Sequence, residues 1–366
     1  MLKFSWVVVV RKPKSLGEVR IKPNHNKKKI IIISVISVAL FLILIGLFYF
    51  LLSMNDSKSK KEKIKIDDAS TVEKKDLTVY DVNSNKRPIA VMIDNNVGNN
   101  AHVGLQDAYL TYEIIVEGGL TRIMAIFKDV NTSVIGPVRS SRHYFLDYAL
   151  ESDAIYAHYG WSTFAQNDIR ALGVNNINGL YDKGYYRNYN IVAPHNVFSS
   201  IEDLYNVSTS KGYSTTSNNY NLLNYTPDDI VFNDTIDLLT ANNVSMNYSY
   251  REIRSYTYDA TNSYYLRYMN NSPHTDRDSG EVYHYKNIII MKVNNSTLDS
   301  YGRQDLDTVG SGEGYYIANG YAIPITWSKA SRSAKTHYYY SDNELVVADG
   351  NTMIQVVPIN SNITFS

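Results

Sequence analysis

An uncharged run of 23 residues, residues 30–52, constrains this chain more than any other stretch. A helix of that length crosses the hydrocarbon core of a bilayer with some tilt. The end of the run, residues 48–52 (FYFLL), lacks the small residues of a signal-peptidase site, so we predict an uncleaved signal anchor. The alternative is a buried core helix, but an entirely apolar helix between lysine-rich flanks is more typical of a membrane span.

Charge on the two sides of this run predicts its orientation. Residues 1–29 are strongly basic, whereas residues 53–78 mix lysine with acidic and serine residues. The positive-inside rule therefore predicts a cytoplasmic tail over residues 1–29 and an extracytoplasmic main body in a single-pass protein of the cell membrane. Residues 53–78 have the composition of a flexible, solvated stalk.

The formal net charge of zero hides an asymmetry that bears on partners. Residues 1–76 hold 16 of the 36 Lys and Arg but only 7 of the 36 Asp and Glu, which leaves 20 basic and 29 acidic residues in residues 77–366. An acidic main body argues against a nucleic-acid partner. The chain contains no cysteine, so disulfides and thiolate metal sites are excluded.

The main body divides by pattern into two predicted domains. Over residues 79–235, strand-like runs alternate with helical stretches, which predicts an α/β or α+β domain. Residues 88–94 form its first buried strand, with Asp94 at the carboxyl end. From residue 243 the runs become short and rich in β-formers, which predicts a smaller, mainly β domain over residues 243–360.

Residues 136–144 (GPVRSSRHY) concentrate positive charge beside a turn. Because proline suits the first turn of a helix, we predict that a helix opens at Pro137. Arg139 and Arg142 would then lie about 60° apart on one side of it. Two guanidinium groups beside free helix N–H groups favour a carboxylate or phosphate ligand. The alternative is a pair of structural salt bridges.

Two glutamates and an arginine flank a predicted hairpin over residues 112–127. Glu113 and Glu117 are an even number of residues apart, so both are predicted to point to one face of the strand. Arg122 follows the Gly118-Gly119 turn and is placed to reach Glu117. A helix over residues 162–172, capped by Ser162, is predicted next.

The polar residues of this first domain form our predicted ligand-binding cleft, since α/β sites favour loops at strand ends. They are Asp94, Glu113, Glu117, Arg122, Arg139, Ser140, Arg142, His158, His195 and Asn196. The alternative is a set of structural ion pairs and caps. Metal binding by His158, His195, His274 and Asp276 is disfavoured because no pair has the helical spacing of a zinc site, and no cofactor is predicted. Ser140 lacks the surroundings of a nucleophile elbow. Trp327, Lys329 and Arg332 are a weaker candidate for a sugar-stacking surface.

The chain resembles the YerB-like lipoproteins, the family defined by domain of unknown function 3048. The resemblance covers roughly residues 86–358. It is carried by residues 87–93 (RPIAVMI), 112–118 (YEIIVEG), 135–142 (IGPVRSSR), 193–196 (APHN), 273–276 (PHTD), 312–316 (GEGYY), 323–327 (IPITW) and 354–358 (IQVVP). The resemblance implies a bacterial envelope protein with an N-terminal and a C-terminal domain and no established reaction. This chain departs from the family in lacking a cysteine to acylate.

The preferred hypothesis is an envelope protein that binds an anionic small molecule, a cell-wall glycan or an envelope protein through the arginines. The alternative is a hydrolase or transferase acting on a cell-wall glycan or phosphodiester. It would use Glu113 or Glu117 with His158 or His195 for proton transfer. A scaffold without a small ligand is the third hypothesis, and it predicts that the polar residues are dispersed in the fold.

Overall fold

The computed structural model describes residues 76–96, 101–217, 222–232 and 237–366. The predicted tail, the predicted anchor at residues 30–52 and almost all of the predicted stalk lie outside these residues. No helix within the described ranges is long and apolar enough to cross a membrane. The described residues belong to one compact unit, Glu73–Ser366.

The N-terminal half contains the α-helices of the described chain. The helices are α1 (Phe145–Glu151), α2 (Thr163–Ala171) and α3 (Ile201–Ser210), and short 3-10 turns cover Leu105–Asp107 and Glu117–Gly119. The strands are β1 (Ile89–Asp94), β2 (Leu110–Ile115), β3 (Thr121–Phe127), β4 (Ile155–His158), β5 (Asn176–Asn178), β6 (Tyr186–Arg187), β7 (Val197–Phe198) and β8 (Asn224–Thr226).

The C-terminal half is built from strands. They are β9 (Leu239–Thr240), β10 (Asn243–Ser249), β11 (Glu252–Asp259), β12 (Tyr264–Met269), β13 (Ser272–Pro273), β14 (His284–Tyr285), β15 (Asn287–Val293), β16 (Asn295–Thr297), β17 (Gln304–Leu306), β18 (Gly310–Ala318), β19 (Tyr321–Lys329), β20 (Thr336–Tyr340), β21 (Asn343–Glu344), β22 (Val346–Ala348), β23 (Thr352–Pro358) and β24 (Ile363–Phe365). The fold is therefore mostly β, with its helices on the N-terminal side as predicted.

One central sheet joins both halves of the chain. Its strand order is β21-β20-β19-β18-β15-β23-β2-β3-β1-β4-β5, and β9 pairs with β19. The late strand β23 lies parallel to β2 on one side and to β15 on the other. At the other end β1 is antiparallel to β3 and parallel to β4. Strands of the two predicted domains are thus hydrogen-bonded to one another in a single sheet. The boundary between the domains remains a prediction.

A second sheet has the strand order β13-β12-β11-β10-β24, with β14 beside β12. Along β10 and β12 buried residues alternate with half-buried or exposed ones, so each strand presents one face to the core. Tyr248 from this sheet donates a hydrogen bond to the carbonyl of Glu113 in β2, at 2.8 Å. The core of the molecule therefore includes the contact between the two sheets.

Several local predictions are confirmed. The hairpin forms as β2 and β3, and α2 is capped by Ser162, whose side chain accepts from Ala165 N. The helix predicted to open at Pro137 is wrong, because α1 begins only at Phe145. Residues 136–141 are extended instead, since the N–H groups of Val138 and Arg139 bond to neighbouring backbone carbonyls. The predicted geometry of the arginines on one helix is therefore wrong as well.

Candidate functional site

The extended segment 136–141 lies between the carboxyl ends of β1 and β4. Arg139 N donates to Met92 O at 2.9 Å, and Arg139 O accepts from Tyr159 N at 3.0 Å. Because β1 and β4 are parallel neighbours, these bonds place Arg139 where the two strands separate. Open α/β sheets use this kind of crevice for ligands.

Asp94 and Arg122 meet at the same edge of the sheet. Asp94 ends β1 and lies directly opposite Arg122 of β3 in the antiparallel register. Opposed residues point to one face, with Cβ atoms about 5 Å apart. The buried Arg122 donates from Nη1 to Ser140 O at 2.6 Å. Asp94 Oδ2 lies 3.4 Å from Arg139 Nε, so β1, β3 and segment 136–141 contribute to one site.

Positive charge accumulates there in an arginine cluster, formed by Arg122, Arg139 and Arg142. Burial, together with the charges of Arg142 and Arg139, lowers the pKa of Arg122 from 12.5 to about 10. Among the described residues no carboxylate lies within ion-pair distance of Arg122, and Arg139 Nε has no hydrogen-bond acceptor. Asp94 is the carboxylate paired with Arg139, and Arg122 is held by a backbone carbonyl, so a bound anion would stabilise the two neighbouring charges.

Glu117 neutralises only one member of the arginine cluster. It lies in the turn between β2 and β3, and its two carboxylate oxygens accept from Arg142 Nε at 2.5 Å and Nη2 at 2.8 Å. Burial alone would raise the pKa of Glu117, but the hydrogen bond and charge of Arg142 lower it below 4.5. The hydrogen bonds of Glu117 go to Arg142 and not to Arg122, although the charge of Glu117 still acts on Arg122 and raises its pKa.

His195 approaches the site from the loop before β7. Its Nδ1 is hydrogen-bonded to Asp94 Oδ2, the oxygen that also faces Arg139. The loop is fixed beside the arginines because Val138 N donates to Val197 O at 2.7 Å. The half-buried imidazole makes no hydrogen bond through Nε2 within the described ranges. Asp94 thus orients an imidazole whose second nitrogen is available to a ligand.

Glu113 is not part of this site. It lies opposite Ile123 on β3, one residue out of phase with Arg122, so its side chain points to the other face of the sheet. The side chain is fully buried. Its carboxylate accepts hydrogen bonds from Asn95 (2.7 Å), Thr121 (2.8 Å), Arg254 (2.5 Å), Arg267 (2.7 Å) and Gln355 (3.0 Å). The prediction that Glu113 and Glu117 share a face is wrong, and Glu113 is instead ion-paired in the core, on the face away from the arginine cluster.

His158 and Asn196 are also held in structural contacts. The fully buried His158 ring lies 2.8 Å from Gly160 O through Nδ1, and burial lowers its pKa to about 4. Asn196 accepts from Arg187 at 2.6 Å and so closes the loop that precedes β7. Of the predicted residues, the structure brings together Asp94, Glu117, Arg122, Arg139, Ser140, Arg142 and His195.

Ser140 lies at the site without the partners of a nucleophile. Its Oγ donates to Tyr159 O at 3.0 Å, so the hydroxyl serves the backbone. No group of three or more potential metal ligands forms within the described ranges. Trp327 and Lys329 are buried in the core, as is usual for a tryptophan in a strand, so the weaker alternative of a sugar-stacking surface does not form.

His102 is a neighbour of the site that the sequence interpretation missed. Its Nε2 contacts Asp94 O at 2.5 Å, and burial lowers its pKa to about 4 despite that bond. The neutral ring therefore helps to fix the end of β1 through the backbone carbonyl of Asp94. The one available signal was its position shortly after a strand that ends in an acidic residue.

The backbone at Gly136 controls the position of the arginine segment. A Cβ at this residue would lie 2.6 Å from Phe198 Cδ1 and 2.8 Å from Val197 O. We expect Gly136→Ala to displace segment 136–141 and to lower the free energy of unfolding by about 1–3 kcal/mol. Gly212→Ala is the control, because that glycine also has a positive φ but open space surrounds its Cβ position, so it reports backbone strain without a clash. A loss of stability in Gly136→Ala no larger than in Gly212→Ala would contradict this expectation.

A separate cavity of about 460 Å³ lies beside Gly104, Thr132, Asp276 and Tyr283. The lining residues do not include the arginine cluster. Asp276 already accepts from Gly104 N and Tyr283 OH, both at 2.8 Å. Three arginines meet at the arginine cluster, and one of them, Arg139, has a buried Nε without a hydrogen-bond acceptor, so we take that region as the candidate site.

The structure is that of a two-part, mostly β protein with an arginine cluster at the carboxyl ends of β1 and β4. The chain belongs to the family of proteins of unknown function known as DUF3048. The family's N-terminal domain matches residues 77–214, and its C-terminal domain matches residues 244–354. Two family domains therefore share the continuous central sheet.

Two comparisons concern a protein from Bacillus subtilis. The chain is 28% identical over 278 residues to "Putative lipoprotein YerB" of strain 168, covering 75% of this chain and 82% of that protein. The crystal structure of the B. subtilis YerB protein is similar, with a TM-score of 0.66 at 27% identity, over 76% of this chain and 94% of the other. The family resemblance found in the sequence is confirmed.

Proposed function

We propose that this chain is a membrane-anchored extracytoplasmic protein that binds an anionic ligand between Arg122 and Arg139. The observation that carries the proposal is a buried arginine without a carboxylate partner beside a second whose Nε lacks an acceptor. A phosphate or carboxylate would accept from both guanidinium groups and offset their mutual repulsion. Asp94 limits the positive charge, so the site favours an anion of low charge.

The proposed location rests on the name of a relative and on the apolar run at residues 30–52. The B. subtilis relative is described as a putative lipoprotein, and lipoproteins are held at a membrane surface by acyl chains. This chain has no cysteine to acylate. We propose that residues 30–52 supply the anchor instead, with the basic residues 1–29 on the cytoplasmic side.

Exposed apolar side chains beside the site support a ligand larger than a free anion. Leu180 approaches Ser140 across Gly160, since a Cβ at Gly160 would lie 3.6 Å from Leu180 Cδ1 and 3.1 Å from Ser140 Oγ. The same segment exposes Leu180, Tyr181, Tyr186, Tyr189 and Val192, each between 47 and 86%. Tyrosines of this kind bind ligands with both apolar and polar surfaces. We propose that the anionic group is carried on a cell-wall glycan.

Arg139→Ala tests the binding proposal. Titration calorimetry would use the full-length chain in detergent, with inorganic phosphate and glucuronate as probes. A hydrogen bond to a charged group contributes about 1.5–3 kcal/mol, so we expect affinity to fall about 10- to 100-fold. Arg139→Lys should bind with intermediate affinity, because lysine cannot form the bidentate contact.

Arg170→Ala is the matched control. Arg170 is exposed in the last turn of α2 and has no ion pair within the described ranges. Its loss should leave both affinities unchanged. If Arg139→Ala and the wild type bind phosphate and glucuronate equally, or if neither probe binds to the wild type, the proposed site is wrong.

A further inference from the structure

We propose that His195, oriented by Asp94, transfers protons in the hydrolysis of a phosphate diester held by Arg122 and Arg139. This inference rests on the proposed function, because the substrate would occupy the proposed anion site. It assigns an activity to that site and narrows the ligand to a phosphate ester. His195 is the proton-transfer residue, and Asp94 is a positioning residue.

The first support is the shared carboxylate oxygen. Asp94 Oδ2 contacts His195 Nδ1 and also lies 3.4 Å from Arg139 Nε. The imidazole and the guanidinium group are therefore immediate neighbours. A ligand oxygen that accepts from Arg139 would place its phosphorus beside the edge of the imidazole.

The second support is the orientation of the ring. With Nδ1 donating to Asp94, the neutral tautomer carries its lone pair on Nε2, which is the form that accepts a proton. Within the described ranges Nε2 has no hydrogen-bond partner, and His195 is only half-buried. By contrast, both ring nitrogens of His158 lie within hydrogen-bond distance of protein oxygens, at 2.8 and 3.2 Å. The structure therefore distinguishes His195 from the other histidine of the predicted cleft.

The chemistry balances with water as the co-reactant. The water oxygen forms a bond to phosphorus while His195 Nε2 accepts the proton that the water loses. The bond from phosphorus to the leaving alcohol breaks on the side opposite the water, and the alkoxide takes a proton from solvent. His195 then returns its proton to solvent, so no net proton is gained or lost. Oxidation states do not change. The two guanidinium groups stabilise the additional negative charge on the phosphoryl oxygens in the transition state.

Turnover of bis(4-nitrophenyl) phosphate by the full-length chain in detergent tests this inference. We expect His195→Gln to lower kcat/KM about 10²- to 10⁴-fold, with inorganic phosphate binding unchanged within about twofold. Asp94→Asn should lower kcat and alter the pH–rate profile, because the tautomer is no longer fixed. The control is His337→Gln on β20, whose side chain is 43% exposed and lies 3.1 Å from Glu344.

Each outcome decides one claim. A wild type that binds phosphate but does not hydrolyse the diester overturns the catalytic inference and leaves the binding site in place. Equal turnover by the wild type and His195→Gln overturns it as well. A wild type that hydrolyses the diester, loses this activity in His195→Gln and retains it in His337→Gln supports it. A wild type that binds glucuronate but not phosphate overturns the catalytic inference, and failure to bind either probe rejects the proposed function itself.

Discussion

Glu113→Gln is expected to lower the free energy of unfolding by about 3–5 kcal/mol, the usual result of removing one partner from a buried ion pair. Glu113 is fully buried and is paired with Arg254 and Arg267, which are fully buried as well. A neutral amide would leave two guanidinium charges in the core with only Glu252 nearby as a counter-charge. Thermal unfolding of the full-length chain in detergent measures the effect.

The exposed Glu344→Gln is the matched control for Glu113→Gln. Glu344 lies 3.8 Å from Lys335 on the surface and is 43% exposed, so its pairing contributes less than about 1 kcal/mol. Equal unfolding midpoints for the two variants would show that the buried cluster does not hold the sheets together.

The dependence of the free energy of unfolding on pH in the acid range provides a second test of the role of Glu113. Burial would raise its pKa, but Arg254 and Arg267 outweigh burial and lower the pKa from 4.5 to about 2. The folded state therefore binds the proton less readily than the unfolded state. This stabilisation is fully present above pH 4.5 and is lost as the pH falls toward 2. We expect Glu113→Gln to lack this part of the acid transition.

Lys329→Met is expected to destabilise the chain by a similar amount, about 3–5 kcal/mol. Lys329 of β19 donates to Glu151 Oε2 of α1 at 2.6 Å, and both side chains are buried. The carboxylate also accepts from Tyr112 OH at 2.8 Å and from Thr336 N at 2.9 Å. Methionine fills the space of the lysine stem but leaves the carboxylate without its counter-charge. Chemical unfolding would measure the loss.

A double variant separates the charge effect from packing. Replacing both members of a buried pair by neutral residues is often close to neutral, so Glu151→Gln/Lys329→Met should recover much of the stability lost in Lys329→Met. The half-buried Lys335, whose nearest carboxylate lies 3.8 Å away at the surface, provides the control, since Lys335→Met should change the free energy of unfolding by less than about 1 kcal/mol. Additive losses in the double variant would mean that the pair has no specific role.

Periodicity predicted the elements whose pattern is local. The apolar run that forms β1, the hairpin of β2 and β3, and the capped helix α2 follow from residue type and spacing. The conformation of residues 136–141 could not be predicted in this way. Its extended backbone depends on hydrogen bonds to Met92 and Val197, which are distant in sequence. The insertion of β23 between β2 and β15 is likewise a long-range pairing.

The candidate site was predictable in composition more than in arrangement. The Gly-Pro segment pointed to Arg139, and the hairpin turn pointed to Arg122; both lie at the candidate site. The exclusion of Glu113 depends on the register of β2 with β3, since one residue decides which face a side chain takes. Its partners Arg254 and Arg267 come from the second sheet, and no spacing in the sequence links them to Glu113.

The most direct measurement of the central claim is the position of a bound anion. A structure of the full-length chain with tungstate, located by the anomalous scattering of tungsten, would show where a phosphate-like anion lies. We predict that tungstate oxygens lie within hydrogen-bond distance of the Arg122 and Arg139 guanidinium groups. Tungsten bound only elsewhere, or absent while both arginines keep their present contacts, would contradict the account.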